Sequence, residues 1–229
     1  MLNAMDQSRI EAAVTKAEAG SSGEIICVLA REVSHYPEVA LAWAAAVALA
    51  LPALVLTLGV HPLVALADPG VWMAAQAGAL ESELAVALGF YAAIQAGLFI
   101  LTFLIIEFIP AVRRPLTPAA LKRHRVERAA RAQFAAIAAR AQGSETGVLI
   151  FVAVDDRQVQ ILAAPSLHQK ADDAAWKAAA AAIGAGMKPG ADPTAGIVQA
   201  VEICGAVLRA HFPAPEGRDQ VFSNHPVEI

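Results

Sequence analysis

Asp155 and Asp156 are the residues of this 229-residue chain best suited to chemistry: adjacent carboxylates can supply oxygen ligands to Ca²⁺ or Mg²⁺ and so support phosphate-ester hydrolysis. They also stand between an apolar run and an alternating one, where Asp is favoured in an ordinary turn, and the side chains of neighbouring residues diverge. His168 and Asp172, four apart at a helix start, could share a ligand, but with Asp173 they read first as an exposed capping cluster. Cys27 and Cys204 have neither CxxC nor metal-ligand spacing and lie inside apolar runs, as buried free thiols do. His35, His61, His124, His211 and His225 are scattered, without a partner at motif spacing. GxxxxGK, GxGxxG, HExxH and GxSxG are all absent from the sequence. The expectation is one candidate metal pair, Asp155 and Asp156, for Ca or Mg, with no cofactor required and no catalytic residue assigned.

The elements that would position these residues include two that do not belong to an ordinary soluble domain. Hydrophobic residues make up 57% of the chain and charged ones 17%, and the mean hydropathy is +0.53. Such a composition fits a membrane protein. A net charge of −4 leaves no global basic field to recruit nucleic acid. Val39–Val60 and Leu84–Ile106 are uncharged apolar runs, each reaching the roughly 20 residues that cross a hydrocarbon core of about 30 Å. Met1–Gly20 is polar and charged, so no signal peptide is expected. Arg113, Arg114, Lys122, Arg123, Arg125, Arg128 and Arg131 follow the second run, whereas the connecting loop 61–83 has no Lys or Arg. The positive-inside bias then puts the loop outside and both termini in the cytoplasm.

Within the runs, Pro52 could kink the first, and Gly89, Ala93 and Gly97 form a small-residue stripe that allows close approach of another helix. Gln95 is the one strongly polar side chain mid-span, and Glu107 lies at the cytoplasmic end. A transport path would need paired intramembrane charges and more spans. Tyr36 and Trp43 suit the headgroup level.

Outside the runs, Ser8-x-x-Glu11 has the form of a capping box, and Gly20 supplies a stop. Glu24–Ala30, EIICVLA, is a strand covered on both faces. Thr117 and Pro118 have the chemistry of an N-cap and first helical position, and Gly143 ends that helix; Ala130, Phe134, Ile137 and Ala141 make its apolar face. Lys122, Arg123, Arg125, Arg128 and Arg131 on the same helix serve as a topology signal and solvated face, or as a patch for anionic lipid headgroups. Gly147–Val154, the turn residues Asp155 to Arg157, and Gln158–Ala163 read as a hairpin with Val159 and Ile161 inward and Gln158 and Gln160 outward. A helix over 169–183 is interrupted by Gly184 and Gly186. The last helix starts at Asp192 and Pro193, carries Ile197, Val201, Cys204 and Leu208 on one face, and ends before Pro213. The tail 215–229 is polar and without periodicity.

This order resembles the TPM domain, on SGEIICVLA at Ser22–Ala30, GVLIFVAVDDRQVQIL at Gly147–Leu162 and the two closing helices. HFP at His211–Pro213 and the SNHPVEI ending are similar to a bacterial branch in which a membrane hairpin interrupts the domain after its first strand. The resemblance implies a three-layer α/β/α sandwich with a small mixed sheet. The expected divisions are 1–37 as the N-terminal part of the domain, 38–112 as the hairpin with spans of about 39–60 and 84–108, 113–214 as the remainder, and 215–229 as a tail. It also implies two kinds of activity, acid phosphatase in plant members and assembly or accessory roles in others. The expectation is a multi-pass protein of the bacterial inner membrane, its domain an interaction or accessory module for other membrane proteins. The alternative is a divalent-metal-dependent phosphatase-like hydrolase. The lipid bilayer is the one partner the residues themselves specify.

Overall fold

The computed structural model describes residues 3–58, 80–140, 147–213 and 224–228. Val60, residues 61–79 of the expected 61–83 loop, Ala141, Gly143 and most of the tail lie outside the described residues, and residues 80–83 of that expected loop are helical. The chain divides into two compact units, Met1–Ser34 with Ala119–Ile229, and His35–Pro118.

In the first unit, α1 (Ala4–Glu18), β1 (Glu24–Ala30), α5 (Ala119–Arg140), β2 (Gly147–Ala153), β3 (Gln158–Ala163), α6 (Pro165–His168), α7 (Asp173–Gly186), α8 (Pro193–His211) and β4 (Val227–Glu228) build a four-stranded sheet with helices on both faces. The strand order is β3-β2-β1-β4. β1 pairs parallel with β2, from Glu24↔Gly147 to Ala30↔Ala153, and parallel with β4; β2 and β3 form the expected antiparallel hairpin. Alternation along the two central strands divides the core. Ile25, Cys27, Leu29, Val148, Ile150 and Val152 join α1, α7 and α8 on one face. Val28, Ala30, Leu149, Phe151 and Ala153 meet Val126 and Ala130 of α5 on the other. This is the three-layer α/β/α arrangement. On the edge strand, Val159 and Ile161 pack toward the first core as expected, and Leu162 toward the second.

Four boundaries differ from the sequence expectation, each because another group takes the capping or pairing role. α1 begins before Ser8: the Asp6 amide donates to Asn3 Oδ1 at 2.8 Å, and Ser8 lies inside the helix with its hydroxyl donating to the Met5 carbonyl. Thr117 closes the preceding helix, its hydroxyl donating to the Arg113 carbonyl at 2.9 Å, and α5 starts at Ala119. α7 starts at Asp173 behind an Asp172 cap and runs through Gly184 to Gly186. The polar tail contributes β4, held against α1 by Gln7 Nε2 donating to Glu228 Oε1 and Asn224 Nδ2 donating to Thr15 Oγ1. The left-handed backbone of Gly20 (φ +81°) follows α1, and Asp192 caps α8 by accepting from the Thr194 amide, both as the sequence indicates.

The second unit contains α2 (Pro37–Thr57), α3 (Leu80–Phe108) and α4 (Pro110–Leu116). α2 continues through Pro52. α2 and α3 pack together, and Ala40, Ala44 and Ala48, one turn apart, are the buried small residues of α2. The stripe of Gly89, Ala93 and Gly97 is instead exposed, and a Cβ added at either glycine would touch nothing within 4 Å. Tyr36, expected at a headgroup level, is buried, whereas Trp43 is exposed, with its indole N–H directed at the Leu116 carbonyl. Arg113 is also buried; its Nη1 donates to the Glu107 carbonyl at 3.4 Å.

Candidate functional site

Parallel, in-register pairing of β1 and β2 brings their carboxyl ends side by side. The residues that follow, Arg31 on one strand and Val154 to Arg157 on the other, therefore share the edge of the sheet where α/β folds commonly bind ligands. Backbone bonds continue the ladder past the strands: the Val154 amide donates to the Ala30 carbonyl at 2.9 Å, and the Asp155 amide to the Arg31 carbonyl at 3.0 Å. The loop closes as a four-residue turn, with the Arg157 amide donating to the Val154 carbonyl and Arg157 in the left-handed region (φ +51°). Asp155 and Asp156 are its two central residues.

The two carboxylates have different surroundings. Asp155 Oδ2 lies 3.9 Å from Arg31 Nε, with the guanidinium largely in solvent. Asp156 is buried, at 7% exposure. Among the described residues, no group of three or more His, Cys, Asp or Glu side chains is placed to hold a metal ion. Two carboxylates suit a Mg²⁺ whose other positions are taken by water or substrate phosphate; a Ca²⁺ with six to eight oxygens needs more donors than these. A cation bound at Asp155 would also have to compete with Arg31. The sequence shows Arg31 only as a flanking charge, because its approach to Asp155 depends on the register between two distant strands.

The other candidate residues take structural positions. Asp172 caps α7, its Oδ1 accepting from the Ala174 amide at 3.0 Å, whereas His168 ends the separate α6, so the two do not share a helix face. Cys27 on β1 and Cys204 on α8 belong to the same buried core, and burial pushes both thiols up to about 12. Thiolate is the reactive form, so at pH 8 only about one molecule in ten thousand would carry it at either site. Alkylation of the native protein by iodoacetamide at pH 8 should thus leave both cysteines unmodified, and the same reagent in denaturant should label both. Rapid labelling of either in the native state, read by mass spectrometry, would contradict the burial described. Near the α8 cap, Arg9 donates to Asp192 at 3.0 Å and holds its carboxyl below the usual range.

The segment joining the candidate turn to its flanking layers has a recognisable pattern. Residues 116–207 match the TPM domain. The match covers α5, the β2–β3 hairpin with Asp155 and Asp156, and the helices through most of α8; α1, β1 and β4 lie outside it, and β1 and β4 complete the four-stranded sheet. A solved structure of similar fold is the NMR structure of BA42 protein from the psychrophilic bacterium Bizionia argentinensis. It aligns over 100% of this chain and 95% of its own at 17% identity, with a TM-score of 0.54. No curated protein matches the chain.

Outside the matched segment, two helices are long and apolar enough to cross a membrane, Pro37–Val55 and Leu88–Phe108. Only 28% and 6% of their residues are buried, whereas the core helix of a soluble protein is mostly buried. Of the 17 large hydrophobic side chains exposed among the described residues, 14 belong to His35–Pro118, including Leu49, Leu54, Leu58, Ile100, Leu101 and Phe108. An apolar surface this extensive marks an interaction or membrane face.

Proposed function

We propose that this protein is a membrane-anchored TPM domain that serves as an interaction or accessory module in the assembly or maintenance of other membrane proteins. It is held in a bacterial inner membrane by the α2–α3 hairpin, with both termini in the cytoplasm. The outward apolar surface of α2 and α3 carries the anchoring part of this reading, because water would oppose it and a bilayer would not. The clustering of Arg and Lys after α3, against none in the connecting loop, supports the orientation. A compact domain fixed at a bilayer has the form expected of an accessory factor.

Topology gives the direct test. The chain should stay in the membrane pellet after alkaline carbonate extraction. Single cysteines introduced in the 61–79 loop and in the tail should react with an impermeant maleimide from opposite sides of intact spheroplasts. Release by carbonate would refute the anchor, and labelling of both sites from one side would refute the hairpin. For the accessory role, crosslinking in native membranes should recover the same membrane-protein partner repeatedly, and recovery of none would remove it.

A second reading, divalent-metal-dependent hydrolysis of a phosphate ester, is favoured by the placement of Asp155 and Asp156 at the carboxyl edge of a parallel strand pair. Under it, Asp155→Ala with Asp156→Ala should lower Mg²⁺-dependent turnover of a phosphate monoester at least 100-fold. Unchanged turnover would exclude these carboxylates as metal ligands.

A further inference from the structure

Helix α5 carries a concentration of positive charge. Its residues 119–140 hold six of the chain's 17 Lys and Arg residues and one acidic residue, Glu127, although the whole chain is net −4. The helix is two-sided. Val126 and Ala130 are buried against the sheet, with Phe134 and Ile137 beside them. His124, Arg128 and Arg131 are exposed on the opposite side, whereas Arg123, in line with Val126 and Ala130, is exposed near the start of the helix. On this exposed side Arg131 donates to Glu127 one turn away, and Arg128 approaches His124 at 3.2 Å. Exposed i,i+4 ion pairs contribute little and are easily exchanged for another anion.

α5 also follows the apolar hairpin closely in the chain. Only α4 and two further residues separate Phe108, the end of α3, from Ala119, apart from Ile109. A segment tied to a bilayer over so short a stretch samples the membrane surface at high effective concentration. Basic residues near an anionic leaflet are drawn to it within about one Debye length.

We propose that the exposed basic face of α5, centred on Arg128 and Arg131 with His124 beside them, docks on the anionic lipid headgroups of the bilayer that holds the hairpin. The docking fixes the domain's orientation at the membrane surface. The inference rests on the membrane-anchored reading, and the test separates the two.

Full-length protein is reconstituted into nanodiscs of phosphatidylcholine alone or with 30 mol% phosphatidylglycerol. An environment-sensitive fluorophore is placed at Ala135→Cys, an exposed position that continues the basic face. The reporter should be shielded from an aqueous quencher in the anionic discs and open to it in neutral ones, and 0.5 M salt should reverse the shielding. Arg128→Gln and Arg131→Gln should each reduce the docked-to-free ratio roughly fivefold. Failure of the protein to enter discs at all would overturn the anchor and this inference together. Integral insertion with identical quenching in the two lipids would overturn the docking alone, as would shielding by added RNA but not by phosphatidylglycerol. The salt and lipid comparisons need no substitution in the basic face, so they decide the matter even if a variant folds poorly.

Discussion

Phe151→Ala is expected to cost about 3–5 kcal/mol, the range for removing a buried aromatic ring. Phe151 is fully buried at the centre of β2, paired with Val28 of β1 and Gln160 of β3. Its ring lies in the smaller of the two cores, where Val126 and Ala130 of a single helix, α5, cover Val28, Ala30, Leu149 and Ala153. Most of these neighbours are Val or Ala, too short to fill the vacated volume without moving the helix. The variant should therefore loosen α5 before it affects the opposite layer. Hydrogen exchange in detergent would show this as faster exchange in α5 and β2 at unchanged or less affected rates in α8. A loss below about 1 kcal/mol would mean that α5 does not seal this face.

Gly196→Val should be nearly as damaging, at about 3 kcal/mol, by the opposite mechanism of overpacking. A Cβ at Gly196 would lie 2.7 Å from the Ala182 carbonyl oxygen and 3.1 Å from the Gly186 Cα. Gly186 has the reciprocal restriction, since its own added Cβ would stand 2.9 Å from the Asp192 carbonyl. Both obstacles are backbone, so relief requires α7 and α8 to separate, which opens the core at Ile183, Ile197 and Val201. Gly184→Ala provides the control. Gly184 is also in α7, but its added Cβ meets nothing within 4 Å, so the better helix propensity of alanine should raise stability by up to about 1 kcal/mol. Thermal unfolding should shift in opposite directions for the two variants; a shift of the same sign would show that the crossing is looser than described.

The parts of the fold legible in the sequence are those in which one residue pattern has one physical outcome. Glu24–Ala30 has a strand's length and too few polar residues for a half-exposed one, and the structure gives β1 those bounds. Ile197, Val201, Cys204 and Leu208 recur at helical spacing behind an Asp-Pro start, and all four are buried on α8. Other signals were ambiguous. Pro110 and Pro115 resemble helix breakers, yet Pro110 fits the first turn of α4 and the short helix forms. Ser8 and Glu11 match a capping box, but Asn3 caps further upstream. Val227 and Glu228 are too few for periodicity and become a strand only because β1 offers an edge. At the candidate site, Asp155 and Asp156 were visible as turn residues. Arg31 was not, because no local pattern states which residue a distant parallel strand will set beside them.

The parallel register from Glu24↔Gly147 to Ala30↔Ala153 joins strands 123 positions apart, with both apolar helices made in between. At about 5–20 residues per second, a ribosome takes roughly 6–25 s to cover that interval. Throughout this time β1 has been synthesised and its central partner has not. The hairpin is therefore complete before the sheet can begin, and the cell must keep one apolar strand soluble until its neighbour arrives.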